Sequence, residues 1–243
     1  MHQSPTLGIV RRPVMNLTPE QIRNIIVYVL TLIISVAVHE WGHAYMADRL
    51  GDNTPRREGR VTLNPLAHAD PIGTFLLPLI TAVYAASSGR ISGGFGWGKP
   101  VMTQPNNYTR KYSMATGLAL VSIAGPLMNI VLALVVATVH GVLLWQNVLA
   151  PDSKIHLGLI QAVYMNFTLF FFNMLPIPPM LDGSKVLARF VPYRHRSKLD
   201  NVAVYGFAIL AAFMLIPQLQ QVFLVPARFC GDQVYELILR LVR

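Results

Sequence analysis

Five long stretches without a charged residue dominate this chain of 243 residues. They cover residues 24–38, 71–89, 115–151, 155–181 and 201–227. A helix needs about 20 apolar residues to cross the core of a bilayer; three stretches reach that length unaided, the 71–89 stretch is marginal, and the first needs His39 and Glu40 as well. Only 13% of the residues are charged, against about a quarter in soluble domains. The sequence therefore predicts a polytopic membrane protein.

The net charge of +9 does not indicate a nucleic-acid partner. The basic residues are scattered through the connections between the apolar stretches and form no dense patch with interleaved aromatics. Positive loops beside membrane helices account for them, so the lipid bilayer is the expected environment. The single cysteine, Cys230, excludes an internal disulfide and a cysteine-rich metal site, and we interpret it as a small packed hydrophobe.

We expect an all-α fold in a single domain over residues 1–243, with four to six transmembrane helices and a core at about 20–191. Thr18, followed by Glu20 and Gln21, predicts the start of the first helix. We expect no cleavable leader at the N-terminus and expect this helix to act as its own insertion signal.

Prolines, glycines and apolar runs predict the bounds of the helices and of the connections between them. The expected helices cover about residues 20–50, 114–147, 157–174, 183–191 and 201–224, and an interfacial tail follows near 231–242. The remaining segments are a polar lead at 1–19, a loop at 51–70, an apolar element at 71–89 and a Gly-rich extended loop or hairpin at 92–101.

Residues 39–43 form the pattern HExxH inside the first predicted helix. Side chains four residues apart lie on the same face of a helix, so His39 and His43 can converge on one zinc ion. Glu40 would then lie beside the open coordination position as a general base. Glu40 lies about 12 Å of helical rise before Asp48, and an acid at that depth is costly to place in a membrane and marks function. The alternative is a hydrogen-bonded polar cluster that locks neighbouring helices together.

A catalytic zinc ion usually takes three protein ligands and a water molecule, so this pair requires a third ligand. Asp182 is the only acid between Asp152 and Asp200, and it follows an apolar helix that prolines end. An anion there without a partner would be costly, and zinc offers one. Asp182 could equally be the N-cap of a helix over 183–191. The other histidines have no partner at a useful spacing; these are His2, His68, His140, His156 and His195.

An ordered set of motifs resembles the site-2 proteases, which are intramembrane zinc metallopeptidases. The motifs are HEWGH at 39–43, GRVTLNP at 59–65, DPIGT at 70–74, GWGKPV at 96–101, SIAGPLMN at 122–129 and the segment from Asn173 to Gly183. The resemblance covers about residues 25–190 and fits the minimal branch, without PDZ or CBS modules. It implies one zinc ion held by His39, His43 and Asp182, with Glu40 as the base. It also implies membrane-protein substrates, cleaved within or near their transmembrane segments.

The resemblance further implies that Asn129 and Asn173 are polar side chains near the scissile peptide. A hydrogen bond between helices is the commoner role of a membrane asparagine and remains the alternative for both. The family pattern NxxPxPxxDG separates Asn and Asp by eight residues, whereas Asp182 follows Asn173 by nine. The extra residue falls in a proline-rich loop that can bulge, so Asp182 is retained as the ligand. Trp97 and Lys99 are expected to anchor the Gly-rich loop at the interface, although the family implies an edge there for an extended substrate.

Two other function classes remain. A catalytically silent, membrane-embedded binding protein would keep the bundle without the chemistry, yet all four residues of the implied site are present. A metal transporter would need further ligands along a path across the bilayer, and the remaining histidines form no such path. We therefore interpret the chain as a zinc metalloendopeptidase of the cell membrane.

The topology follows from bringing the ligands together. The HExxH histidines lie near the C-terminal end of the first helix and Asp182 follows the helix over 157–174, so these two helices must run parallel. With one crossing between them, at 114–147, residues 71–89 must enter and leave on the same side, and their prolines suit such a re-entrant element. This arrangement puts thirteen Lys and Arg residues on one side and seven on the other. The positive-inside tendency then predicts that the zinc site faces the cytoplasm and that both termini lie outside.

Overall fold

The computed structural model describes residues 17–87, 96–150, 153–195 and 201–242 as a helical protein built on three long helices. The α-helices are α1 (Pro19–Arg49), α2 (Thr54–Arg57), α3 (Pro65–His68), α4 (Leu77–Ser87), α5 (Met114–Trp145), α6 (Lys154–Asn173), α7 (Asp182–Phe190), α8 (Gly206–Leu215) and α9 (Pro217–Val242). A π-helical turn over Pro71–Leu76 leads into α4, and 3-10 turns occupy Pro105–Asn107 and Tyr193–His195. Three predictions lie outside the described residues in part: the lead at 1–16, positions 88 and 89 of the apolar element, and positions 92–95 of the Gly-rich segment.

Helix α1 begins where the sequence predicts. The Thr18 hydroxyl accepts the backbone N–H of Gln21, and the Gln21 side chain accepts the Thr18 N–H in return, which completes a capping box. The helix ends at Arg49, and Gly51 follows with a φ of 101°, a conformation that favours glycine. The two histidines of HExxH therefore lie well inside a continuous helix.

The bundle centre is formed by α1, α5 and α6. Small residues let α1 approach α5 closely: a Cβ atom on Gly42 would lie 2.7 Å from the Ala124 carbonyl oxygen, and Ala44 is fully buried. The contacts at His43–Val121 and Ser35–Asn129 give α1 and α5 opposite directions.

Helices α1 and α6 run parallel, as the meeting of the ligands requires. At one end the Lys154 ammonium contacts the Glu20 carboxylate, with 3.1 Å between N and O. At the other end, His39 on α1 lies beside Asp182, which follows α6. Because the starts of the two helices lie together and their ends lie together, α1 and α6 run in the same direction.

The chain before and after the apolar element that starts at Pro71 lies at the same end of the bundle. The Trp97 N–H donates to the Gly73 carbonyl at 3.0 Å, so the two ends of the 73–97 stretch meet. Between these two ends, the Ala86 carbonyl of α4 accepts a hydrogen bond from the side chain of Gln21, which lies in the first turn of α1. This geometry agrees with the predicted re-entrant element. Residues 96–101 belong to no helix or strand, and positions 92–95 lie outside the described residues, so the choice between an extended loop and a hairpin stays a prediction.

The segment at 51–70 is more ordered than the predicted loop, since it contains α2 and α3. Asp52 is fully buried and accepts the N–H of Gln104, the hydroxyl and N–H of Thr54, and the Asn107 amide. Burial alone would raise the pKa of the Asp52 carboxyl, but these donors outweigh it and hold the pKa below its usual range. Asp52 therefore joins the two connections that flank the C-terminal end of α1.

The C-terminal prediction was wrong in its boundaries. In place of one helix over 201–224 and a separate tail, α8 and α9 form a pair bent by 78° at Ile216. Pro217 lacks the N–H that would continue α8, and its fixed φ suits the first turn of α9. The tail region lies within α9 and packs against α5 and α6 through Val234, Tyr235 and Ile238, while Cys230 is a packed apolar residue as predicted.

The expected all-α polytopic class is confirmed, with a number of spans at the low end of the prediction. Three helices of the described chain, α1, α5 and α6, are long and apolar enough to cross a membrane. The bent pair of α8 and α9 gives a fourth span if counted as one, and Pro71–Ala86 is a shorter apolar helix.

Candidate metal centre

Three potential ligand atoms converge between α1 and the start of α7. The Nε2 atoms of His39 and His43 lie 3.0 Å apart, and their rings meet edge to face. The Oδ2 atom of Asp182 lies 3.3 Å from the first nitrogen and 3.1 Å from the second. All three side chains are at least 88% buried. Among the described residues, this is the group of His, Cys, Asp and Glu side chains that could hold a metal ion.

Hydrogen bonds fix both imidazoles in the tautomer that metal binding requires. The Nδ1–H of His39 donates to the Oδ1 atom of Asn129 at 2.8 Å, and the Nδ1–H of His43 donates to the Val121 carbonyl at 2.7 Å. Both oxygens can only accept, so Nδ1 carries the proton and each Nε2 keeps its lone pair. Partners of this kind orient metal-binding histidines and raise their basicity.

Asp182 does not act as the helix cap that its position alone allowed. Leu181 is the N-cap of α7, and no side-chain capping hydrogen bond forms there. Asp182 is the first residue of the helix and its carboxylate turns toward the two imidazoles, with the Lys185 ammonium 3.5 Å from its other oxygen. The segment that leads to it is held by an apolar cluster in which Leu175, Ile177 and Leu181 pack against α8 and α9; its other members are Phe172, Leu210 and Phe223.

The geometry of the three donors fits a zinc ion. Ligands held about 2.0–2.1 Å from zinc in tetrahedral geometry lie roughly 3.3 Å from one another. The observed separations of 3.0, 3.1 and 3.3 Å are close to that value. Gly125 on α5 leaves the space in front of the nitrogens clear, since a Cβ atom there would lie 2.3 Å from the Nε2 of His43. A larger residue at this position would fill the centre.

Glu40 lies against the extended segment that follows the re-entrant element. Its Oε2 atom accepts the backbone N–H of Val101 at 3.2 Å, and a Cβ atom on Gly98 would lie 3.2 Å from its Cγ atom. The segment is anchored by the buried Arg60, whose guanidinium donates to the carbonyls of Ala67 and Lys99. The carboxylate is therefore held through one oxygen by a fixed backbone donor.

The two predicted asparagines have different settings. Asn129 is fully buried at the centre of the bundle, where its amide donates to the Ser35 carbonyl and to the Oδ1 atom of Asn166. Asn173 is half-buried, and its amide donates to the Leu169 carbonyl of its own helix. Sequence reasoning missed Asn166, although it lies two helical turns before Asn173 on the same apolar helix.

The other described histidines are not at this centre. The Nε2 atom of buried His68 pairs with the Thr62 carbonyl, and burial lowers the pKa of His68. His140 pairs with His156 at 2.9 Å and with the Tyr235 hydroxyl at 3.1 Å, contacts that the sequence analysis did not predict. Their spacing gave no signal, because the pair forms across two helices.

Residues 27–155 match the family described as Peptidase family M50. The chain is 37% identical over 201 residues to "Putative zinc metalloprotease YwhC" of Bacillus subtilis, covering 78% of this chain and 80% of that protein. It is 29% identical over 192 residues to "Putative zinc metalloprotease Rip2" of Mycolicibacterium smegmatis, covering 79% of this chain and 67% of that protein.

The chain belongs to peptidase family M50, the site-2 protease family. A second Rip2 protein, from Mycobacterium tuberculosis, is 27% identical over 188 residues, covering 77% of this chain and 66% of that protein. No solved structure matches the chain. The M50 membership makes this membrane protein a zinc metalloendopeptidase, in agreement with the class and cofactor predicted from the sequence.

If Asn129 orients His39, Asn129→Leu weakens zinc binding to the M50 peptidase about tenfold to a hundredfold. The affinity is measured on the purified full chain by competition with a chelator. Asn173→Leu is the matched control, because it makes the same change at an amide that bonds within its own helix. Equal affinities for the native chain and Asn129→Leu, or equal losses in the two variants, would contradict this role.

Proposed function

We propose that this M50 peptidase is an intramembrane endopeptidase that hydrolyses peptide bonds within or near the transmembrane segments of other membrane proteins. The observation that carries the proposal is a zinc-compatible donor set placed inside α1, which is one of the three helices able to span a membrane. Glu40 precedes Asp48 by eight residues, a rise of about 12 Å along α1, so the proposed reaction takes place below the polar end of the bundle. We further propose that the whole chain acts as one catalytic unit.

In this proposal His39, His43 and Asp182 are the ligands. Zinc bound there would polarise a substrate carbonyl and lower the pKa of water toward neutrality. The Glu40 carboxylate takes a proton from the attacking water and delivers it to the leaving amide nitrogen. The Val101 N–H bonds one carboxylate oxygen, which leaves the other oriented for this transfer.

Substrates must reach the site in an extended form. A transmembrane helix satisfies its own peptide carbonyls, so the target must unwind locally before a carbonyl can be attacked. Residues 97, 99 and 101 direct their backbone N–H groups into the protein, onto Gly73, His68 and Glu40. In extended backbone the intervening residues face the opposite edge. The family resemblance assigns such an edge to substrate, and this pattern of hydrogen bonds supports that role for residues 98–102.

We propose that Asn129 and Asn173 have separate parts in substrate handling. Asn129 acts through His39, as its hydrogen bonds indicate. Asn173 lies on the last turn of α6, where the chain turns toward Asp182, and there it is the better placed of the two to meet a substrate.

We also propose that the metal centre opens toward the cytoplasm. The connections at 50–70 and 97–113 lie at the zinc-binding end of α1, and the start of α6 lies at the other end. The first of these ends carries the larger share of Lys and Arg.

Glu40→Gln should retain zinc and lose peptide cleavage by at least about a hundredfold, because the ligands stay and only the proton acceptor is removed. The membrane proteomes of cells carrying the native chain and the variant are compared for proteins that accumulate uncleaved, and zinc is measured in both purified chains. Glu58→Gln, an exposed acid in the following connection, is the matched control. A Glu40→Gln variant that cleaves at the native rate would rule out Glu40 as the base.

The orientation predicts which positions an impermeant thiol reagent can reach in intact cells. In a Cys230→Ser background, Gln3→Cys should be labelled and Arg57→Cys should be protected until the membrane is opened. Labelling of position 57 and protection of position 3 would reverse the orientation and leave the catalytic assignment untouched.

A further inference from the structure

A narrow groove runs along the bundle between α1 and α6, with α5 as its floor. Its volume is about 410 Å³, within the range of pockets that bind small ligands. The walls are almost entirely apolar and include Val27 and Ile34 of α1, Val136 of α5 and Leu159 of α6. The groove is separate from the metal centre and from the segment at 96–101.

The length of the groove corresponds to about one leaflet of a bilayer. Arg23 and Lys154 line one end, and Ser35 and Asn166 line the other. Twelve residues of α1 separate Arg23 from Ser35, which is about 18 Å at helical rise. Half of the hydrocarbon core measures about 15 Å. The groove therefore runs from one membrane face to near the middle of the membrane.

The end of the groove at the membrane face has a positive electrostatic character. Arg23 and Lys154 each lie 3.1 Å from the Glu20 carboxylate, so the three side chains carry a net charge of +1. Both cations are partly exposed and have further N–H groups to donate. The parallel helices α1 and α6 also begin here, and the positive ends of their dipoles favour an anion.

The shape of the groove suits a single hydrocarbon chain. Its volume of about 410 Å³ is drawn out along about 18 Å of helix between two helices that run side by side. A single hydrocarbon chain is the class of ligand that combines this shape, these apolar walls and a position in the bilayer.

We propose that the groove is a binding site for one anionic phospholipid, with an acyl chain between α1 and α6 and the phosphate at Arg23 and Lys154. The far end of the acyl chain would lie against Asn166, which accepts a hydrogen bond from Asn129 beside His39. Lipid in the groove thus packs against the network that orients a ligand of the metal centre. Lipid binding in this groove does not require the proposed proteolytic function.

The test is native mass spectrometry of the full zinc-loaded chain with phosphatidylglycerol and phosphatidylcholine of identical acyl chains. The native chain should retain one phosphatidylglycerol in preference to phosphatidylcholine. The double variant Arg23→Gln/Lys154→Gln should bind phosphatidylglycerol about thirtyfold more weakly, since each basic residue near a membrane surface contributes about 1 kcal/mol. Arg240→Gln is the matched control, because Arg240 is an exposed cation in the last turn of α9 and does not line the groove.

Two further variants separate an acyl chain from other occupants. Ala162→Phe fills the groove wall and should release both lipids, with thermal unfolding and zinc content measured to confirm the fold. Ser35→Ala removes a buried hydroxyl that has no hydrogen-bond partner among the described residues, and it should leave lipid binding unchanged. Loss of binding in Ser35→Ala would indicate a polar ligand and overturn the proposal. The proposal would also be overturned if the native chain retained the two lipids equally, or if Ala162→Phe bound phosphatidylglycerol as tightly as the native chain does. It would be overturned as well if the native chain carried a bound polypeptide that Ala162→Phe lacked.

Discussion

The side chain of Asn129 joins the three central helices at one point. Its Oδ1 atom accepts the Nδ1–H of His39 on α1, and its amide donates to Ser35 on α1 and to Asn166 on α6. An isolated hydrogen bond between membrane helices contributes only about 0.6 kcal/mol on average. The larger consequence is geometric, because these bonds fix the ring of His39 and with it the position of the proposed ligand atom Nε2. A loss of tenfold to a hundredfold in zinc affinity corresponds to about 1.4–2.8 kcal/mol, more than the average bond between helices.

The rest of the site is assembled around this point by close packing. Gly42 brings α1 against α5, and Gly125 keeps the space beside the imidazoles open. The apolar cluster between α6, α8 and α9 holds the turn that carries Asp182. Arg60 is buried among backbone carbonyls and fixes the segment whose Val101 N–H contacts Glu40. The three proposed ligands come from distant parts of the sequence, yet each is placed by contacts of its own.

Much of this could be predicted because the signals are local. The pair His39 and His43 follows from helical periodicity, and the start of α1 follows from Thr18 and Gln21. Asp182 needed the family resemblance, since its spacing fitted an N-cap equally well. Contacts that form between helices left no such signal: neither the bond from Asn129 to Asn166 nor the pairing of His140 with His156 has a fixed spacing in the sequence. The break at Ile216 was missed because an uninterrupted apolar run indicates a single span, whereas Pro217 divides it.

Zinc K-edge X-ray absorption on the purified full chain tests the central claim, that His39, His43 and Asp182 hold one zinc ion. The account predicts two imidazole nitrogens and carboxylate oxygen at about 2.0–2.2 Å, with no sulfur scatterer near 2.3 Å. Asp182→Ala should lower the zinc content and remove the carboxylate contribution, whereas His140→Ala should leave the spectrum unchanged. A native spectrum with one imidazole or with sulfur, or full zinc content and an unchanged spectrum in Asp182→Ala, would contradict it.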